Sequence, residues 1–142
     1  DFLGTKDADL PTLSAIHPEV GWLAIATARV LDQQGQSTQA IKTLQKAAVL
    51  SPHLAGVHYE LGIMLLRFEG QHQGAAAAFQ ASSRLKPSDP ASWYGLGQAW
   101  MQHSGREEDA QHAFRNTIEV AQGHPDWVGL GRLALEGAGG TP

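Results

Sequence analysis

Small and apolar residues recur along this chain at helical rather than strand spacing. Between Gly21 and Leu31, the residues Ala24, Thr27, Ala28 and Leu31 fall on one helical face, and the run Asp32-Gln33-Gln34-Gly35 ends that helix at a glycine suited to positive φ. Ser37 or Thr38 is placed to cap a second helix, with Ala40, Leu44 and Ala47 on one face and Lys42 and Lys46 on the other. Ser51-Pro52 stops it, because proline has no N–H to donate to a continuing helix.

The two-helix pattern then repeats. Trp93-Tyr94-Gly95-Leu96-Gly97 returns 34 residues later as Trp127-Val128-Gly129-Leu130-Gly131, and Tyr59-Glu60-Leu61-Gly62 carries the same Leu-Gly pair 35 residues before Leu96-Gly97. Gly35, Gly70 and Gly105 recur every 35 residues, each followed by an alanine (Ala40, Ala75, Ala110), a bulky residue (Leu44, Phe79, Phe114) and a small one (Ala47, Ser82, Thr117). Pro18, Pro52 and Pro87 fall at intervals of 34 and 35.

The small residues at Ala28, Gly62 and Gly97, and at Ala40, Ala75 and Ala110, let two helices of a unit approach closely. Leu44, Phe79, Phe114, Trp93 and Trp100 are expected to fill the spaces between turns and units. Helix-interior glycine costs about 0.5–1 kcal/mol relative to alanine, which close packing would offset.

With these residues in view, the chain resembles the tetratricopeptide repeat (TPR) family, whose 34-residue unit runs W-x-x-L-G-x-x-Y and then A, F, A and P. Trp93, Leu96, Gly97, Trp100, Ala110 and Phe114 fit one unit, and Leu61, Gly62, Leu65, Ala75, Phe79 and Pro87 another. The first unit departs at Ala24, Thr27 and Ala28 but keeps Ala40, Ala47 and Pro52. The resemblance implies an all-α fold, a right-handed α-solenoid of antiparallel helix pairs. Three units are expected over residues 18–53, 54–88 and 89–123, followed by a capping helix over 124–136 and a flexible tail over 137–142. Residues 1–17 are expected to form a linker or a short extra helix.

The family likeness also implies a concave face lined by the first helix of each unit, which commonly holds a peptide from a partner. Carried onto this sequence, that face would present Trp22, Ile25 and Arg29, then Tyr59, Ile63, Leu66 and Arg67. Further along it would show Tyr94, Gln98 and Met101, and Val128 and Arg132 on the cap. Trp, Tyr and Arg are the side chains that interfaces favour, since they bury large area and arginine forks onto carboxylates. The chaperone-tail clamp of the family is not matched, because its places hold Ile25, Arg29, Glu60, Ala91 and Gly95.

Composition removes other chemistries. The 142 residues are 42% hydrophobic and 17% charged with net charge −4, a globular balance that gives no general field toward nucleic acid or anionic lipid. No cysteine is present, so disulfides, thiolate nucleophiles and Cys-based zinc sites are absent. No apolar run approaches the ~18 residues of a membrane span. The chain opens on Asp1 rather than Met and is expected to be a processed product or a piece of something longer.

Gly95-Leu96-Gly97 lacks the third glycine, the strand and the acidic residue of a dinucleotide site. The seven histidines form no His-x3-His pair, and Glu69-x-x-His72 crosses the turn at Gly70, so no metal and no cofactor are expected. Glu107-Glu108-Asp109 reads as a helix start facing the positive dipole end. No nucleophile has a recognisable base, so catalytic residues are expected to be none.

The leading expectation is therefore a non-catalytic protein–protein interaction scaffold that takes an apolar, acidic segment of a partner into its groove. The alternative is a TPR module of a larger enzyme, transferase- or hydroxylase-type, that positions substrate or mediates oligomerisation. Self-association through the open ends of the solenoid or through the aromatic groove, with no other partner, is a third reading. Neither nucleic-acid binding nor membrane insertion is expected, and a soluble, cytoplasmic setting is favoured over a periplasmic one.

Overall fold

A computed structural model describes residues 19–68 and 70–141; the expectation for residues 1–17 lies outside them. Seven α-helices occupy the described chain: α1 (Glu19–Gln33), α2 (Ser37–Leu50), α3 (Ala55–Leu66), α4 (His72–Leu85), α5 (Pro90–Met101), α6 (Glu107–Val120) and α7 (Pro125–Gly137). They pair as α1–α2, α3–α4 and α5–α6, each helix packing on the next, with α7 closing the series. The fold is an all-α solenoid.

The turns follow from the glycine period. Gly35, Gly70 and Gly105 have φ of 79°, 79° and 84°, the left-handed region where a side chain is strained, so each first helix can end and reverse within a few residues. The caps differ from expectation. Helices α2, α4 and α6 begin after Gln36, Gln71 and Arg106, none of which makes a side-chain cap bond. Ser37 already lies inside α2, and its hydroxyl donates back to Asp32 at 2.8 Å. Among the described residues only α5 has the expected sort of cap: Asp89 accepts from Ala91 N–H at 3.1 Å, with Pro90 in the first turn.

One ring sets the spacing between units. Phe79 is fully buried, and a Cβ added at Gly62 of α3 would come within 2.9 Å of it, while one at Gly95 of α5 would come closer still. Phe114 fills the same place against Gly97. The glycines of the Gly95-Leu96-Gly97 stretch are thus packing positions, and Gly95 serves the junction before it while Gly97 serves its own unit.

Equivalent polar contacts repeat with the same period. His58 and Trp93, 35 residues apart, bond through ring nitrogens to the carbonyls of Pro52 and Pro87 at 3.0 and 2.9 Å. Tyr59 and Tyr94 each meet the following phenylalanine, Phe79 or Phe114, with ring centroids 5.8 Å apart.

The described residues after α7 pack back onto the array. Helix α7 runs to Gly137, Ala138 is buried beside Leu135, and Gln111 donates to the Ala138 carbonyl at 2.8 Å. Gly139, with φ of 77°, then turns the chain so that Gly140 N–H reaches the Leu135 carbonyl at 2.9 Å.

Candidate protein-binding groove

The curvature of the array follows from which helices meet. Among the described residues α1 touches α3, α3 touches α5 and α5 touches α7, whereas α2, α4 and α6 make no contact with one another. Helices on the inner side of a bend crowd together, so the first helices line the concave side.

Most of the expected groove residues reach the surface there. Trp22 is 58% exposed, Arg29, Arg67, Met101 and Arg132 are exposed, and Tyr59, Ile63, Leu66, Tyr94, Gln98 and Val128 are half-buried. Ile25 lines the cleft between α1 and α3 but is only 4% exposed, because Gly56 lacks a side chain and lets α3 approach, with the Ile25 Cδ1 3.3 Å from where a Cβ would stand.

Two clefts open on this side, sharing Trp22, Gly56 and Tyr59. One, of about 300 Å³, runs between α1 and α3 and ends at Arg29 and Glu60. The other, of about 270 Å³, passes Leu54 and Ala55 to reach Ser82, Lys86 and Asp89. Gly56 keeps the shared floor low, and the Tyr59 ring is steadied edge-on against Phe79. Burial raises the Tyr59 phenol above its ordinary pKa, helped by the nearby carboxylates of Asp89 and Glu60, so the hydroxyl stays protonated and available to donate.

Beneath the second cleft lies a satisfied polar network. Ser82 Oγ is 2.8 Å from Ser92 Oγ and 3.2 Å from the Ala55 carbonyl, and Ser92 Oγ is 3.4 Å from Asp89, so one hydroxyl donates to the other and the second proton goes to Ala55 or Asp89. It fixes the start of α5 against α3 and α4, which holds the Lys86–Asp89 rim in place.

The charges are more balanced than the arginine pattern implied. Arg29 donates to Glu60, which raises the arginine's pKa, so this pair sits neutral overall at the cleft's end. Arg67 donates to Asp32 at 2.8 Å. That bond, with the one from Ser37, holds the Asp32 carboxyl below its ordinary pKa. Arg132 has no ion pair among the described residues.

Farther along, Tyr94 lies between Phe114 and Trp127, both with ring centroids 5.8 Å away, so its face is largely occupied by neighbours. Sequence reasoning missed Ala26, Gly56, Lys86 and Asp89 as lining residues. Gly56 was detectable only as a departure from period, since its equivalent one unit later is Ala91.

The chain belongs to the tetratricopeptide repeat family, whose model matches residues 25–90 and 65–110. No curated protein matches it. Among solved structures it is similar to the type III secretion translocator chaperone SycD of Yersinia enterocolitica in an alternative dimer, at 18% identity and a TM-score of 0.73, covering 84% of this chain and 92% of that one. It is also similar to SycD in complex with a peptide of the translocator YopD, at 18% identity and a TM-score of 0.72, covering 82% and 89%. A type III secretion complex from Aeromonas hydrophila aligns at 20% identity and a TM-score of 0.76, covering 91% and 87%. At these identities the likeness is one of fold.

Proposed function

We propose that this chain is a non-catalytic scaffold that holds a segment of another protein in its concave groove. The observation that carries this reading is the pair of clefts flanking Tyr59, walled by the exposed Trp22 and floored by Gly56. Each has room for one bulky apolar side chain, and a tryptophan more than half exposed on a concave face is the sort of anchor that interfaces bury. SycD with its YopD peptide supports the idea that such a fold can hold a partner's segment.

The segment is apolar where it meets Trp22 and Tyr59, with two large side chains placed on either side of the tyrosine. Its acidic part is read by Arg132 near α7, because Arg29 and Arg67 already have carboxylate partners.

Panning a displayed library of short random peptides against the full chain tests this. Enriched peptides should carry paired Leu, Ile or Phe residues, and Trp22→Ala should weaken them at least tenfold while the helical circular-dichroism signal persists. Trp22 is a cleaner probe than Tyr59→Ala with Tyr94→Ala, since both tyrosines also support buried phenylalanines. Binding that survives both Trp22→Ala and Gly56→Leu would sink the proposal.

A further inference from the structure

The outer side of α1 poses a separate problem, away from the groove. Helices α3, α5 and α7 are each backed by the second helix of the preceding unit, whereas among the described residues nothing plays that part for α1. Gly21, Ile25 and Ala28 face the core, and the side turned away from them carries Val20, Leu23, Thr27 and Val30. Leu23 is 67% exposed and Val30 51%, while Val20 and Thr27 are exposed as well.

These four positions are spaced three, four and three apart, the spacing of a helix-to-helix seam. Their flanks are uncharged: Ala24, Ala26, Gln33 and Gln34. The charged residues of α1 are Glu19, Arg29 and Asp32, and the last two are committed to Glu60 and Arg67.

We infer that this face is an interface with a second copy of the chain, formed by antiparallel pairing of the two α1 helices about a twofold axis. A helix with the same seam spacing fits the stripe, and an uncharged face meets its own image without opposing like charges. In the antiparallel sense Val20 meets Val30 of the second copy, and Leu23 meets Thr27. This arrangement sets the N-terminal end of each helix beside the C-terminal end of the other, where the two dipoles oppose each other favourably. A helix of 15 residues is about 22 Å long, so the seam is near the lower end of the ~1,000 Å² that specific interfaces bury. The dimer is therefore concentration-dependent rather than permanent.

The test uses the full chain in sedimentation equilibrium from micromolar to submillimolar concentration. The mass should rise toward twice the monomer, and Leu23→Glu should hold it at the monomer with unchanged helical content and melting temperature. Leu133→Glu on the outer side of α7 should leave the dimer intact. The absence of native cysteine gives a second measure: mixed Leu23→Cys and Thr27→Cys proteins should cross-link to each other under mild oxidation faster than either does to itself. A monomer throughout the range overturns the inference, as does a dimer that ignores Leu23→Glu. A monomeric chain that Leu23→Glu destabilises also overturns it, in favour of a cover supplied by residues 1–18 of the same chain.

Discussion

Helices α1 and α7 hold the same place in their units and stand at opposite ends of the array, yet they end it differently. The outer side of α7 exposes Leu130 and Leu133 beside Asp126 and Glu136, and the helix is finished by the glycine turn that folds Gly140 onto Leu135. The outer side of α1 exposes Val20, Leu23 and Val30 with no charge between them. A repeat array needs a terminal unit with a polar outer face to remain soluble, and the carboxylates beside Leu130 and Leu133 supply part of one on α7. Among the described residues, then, charge interrupts the apolar outer side of α7 and does not interrupt that of α1.

The strongest way to break this contrast is to remove the cap's anchor. Leu135 is 1% exposed beside Ala110, Phe114 and Ala138, so Leu135→Ala should cost about 2–5 kcal/mol. Because units in such arrays couple chiefly to their neighbours, the loss should appear first in α7. Hydrogen exchange should show its amides opening while α1 and α2 stay protected, and uniform opening would contradict the separation of the ends.

A smaller effect is expected at the N-terminal end in acid. The folded Asp32 carboxyl lies below its ordinary pKa, first through the hydrogen bond from Arg67 and then through that from Ser37. Its stabilisation is present above the unfolded aspartate value near ~3.9 and is lost as pH falls through the lower folded value. With Arg67 about half exposed, the pair contributes ~1 kcal/mol or less. Thermal melts of wild type and Asp32→Asn should differ slightly at neutral pH and converge in strong acid. The smallest effect belongs to Leu133→Lys, which should leave stability within about 0.5 kcal/mol, because a cap's outer surface carries little.

How much of this was legible depended on period. The turn glycines, the Phe79 and Phe114 positions and the helix pairing were readable because each recurs at 34 or 35 residues and has one physical purpose. The caps were not, since Ser37 looked like a capping residue until the helix started one position earlier and turned its hydroxyl to Asp32. The depth of Ile25 in the cleft was not readable, because its burial depends on Gly56, a residue whose absence of side chain acts across two helices. The pairing of Arg29 with Glu60 was invisible for a related reason: the two are 31 residues apart, and only the close approach of α1 and α3 joins them. The bare stripe on α1 lay in the sequence as Val20, Leu23 and Val30, but a helical pattern alone does not say which apolar side lacks a neighbour.

The ring of Phe79, wedged between the glycines of α3 and α5, has a mechanical consequence. Its thickness acts as a shim that sets the angle between the second and third units, and with no Cβ on either side there is no softer material to take up strain. Tyr59, which divides the two clefts, rests edge-on against that same ring, so the shim also sets where the clefts stand.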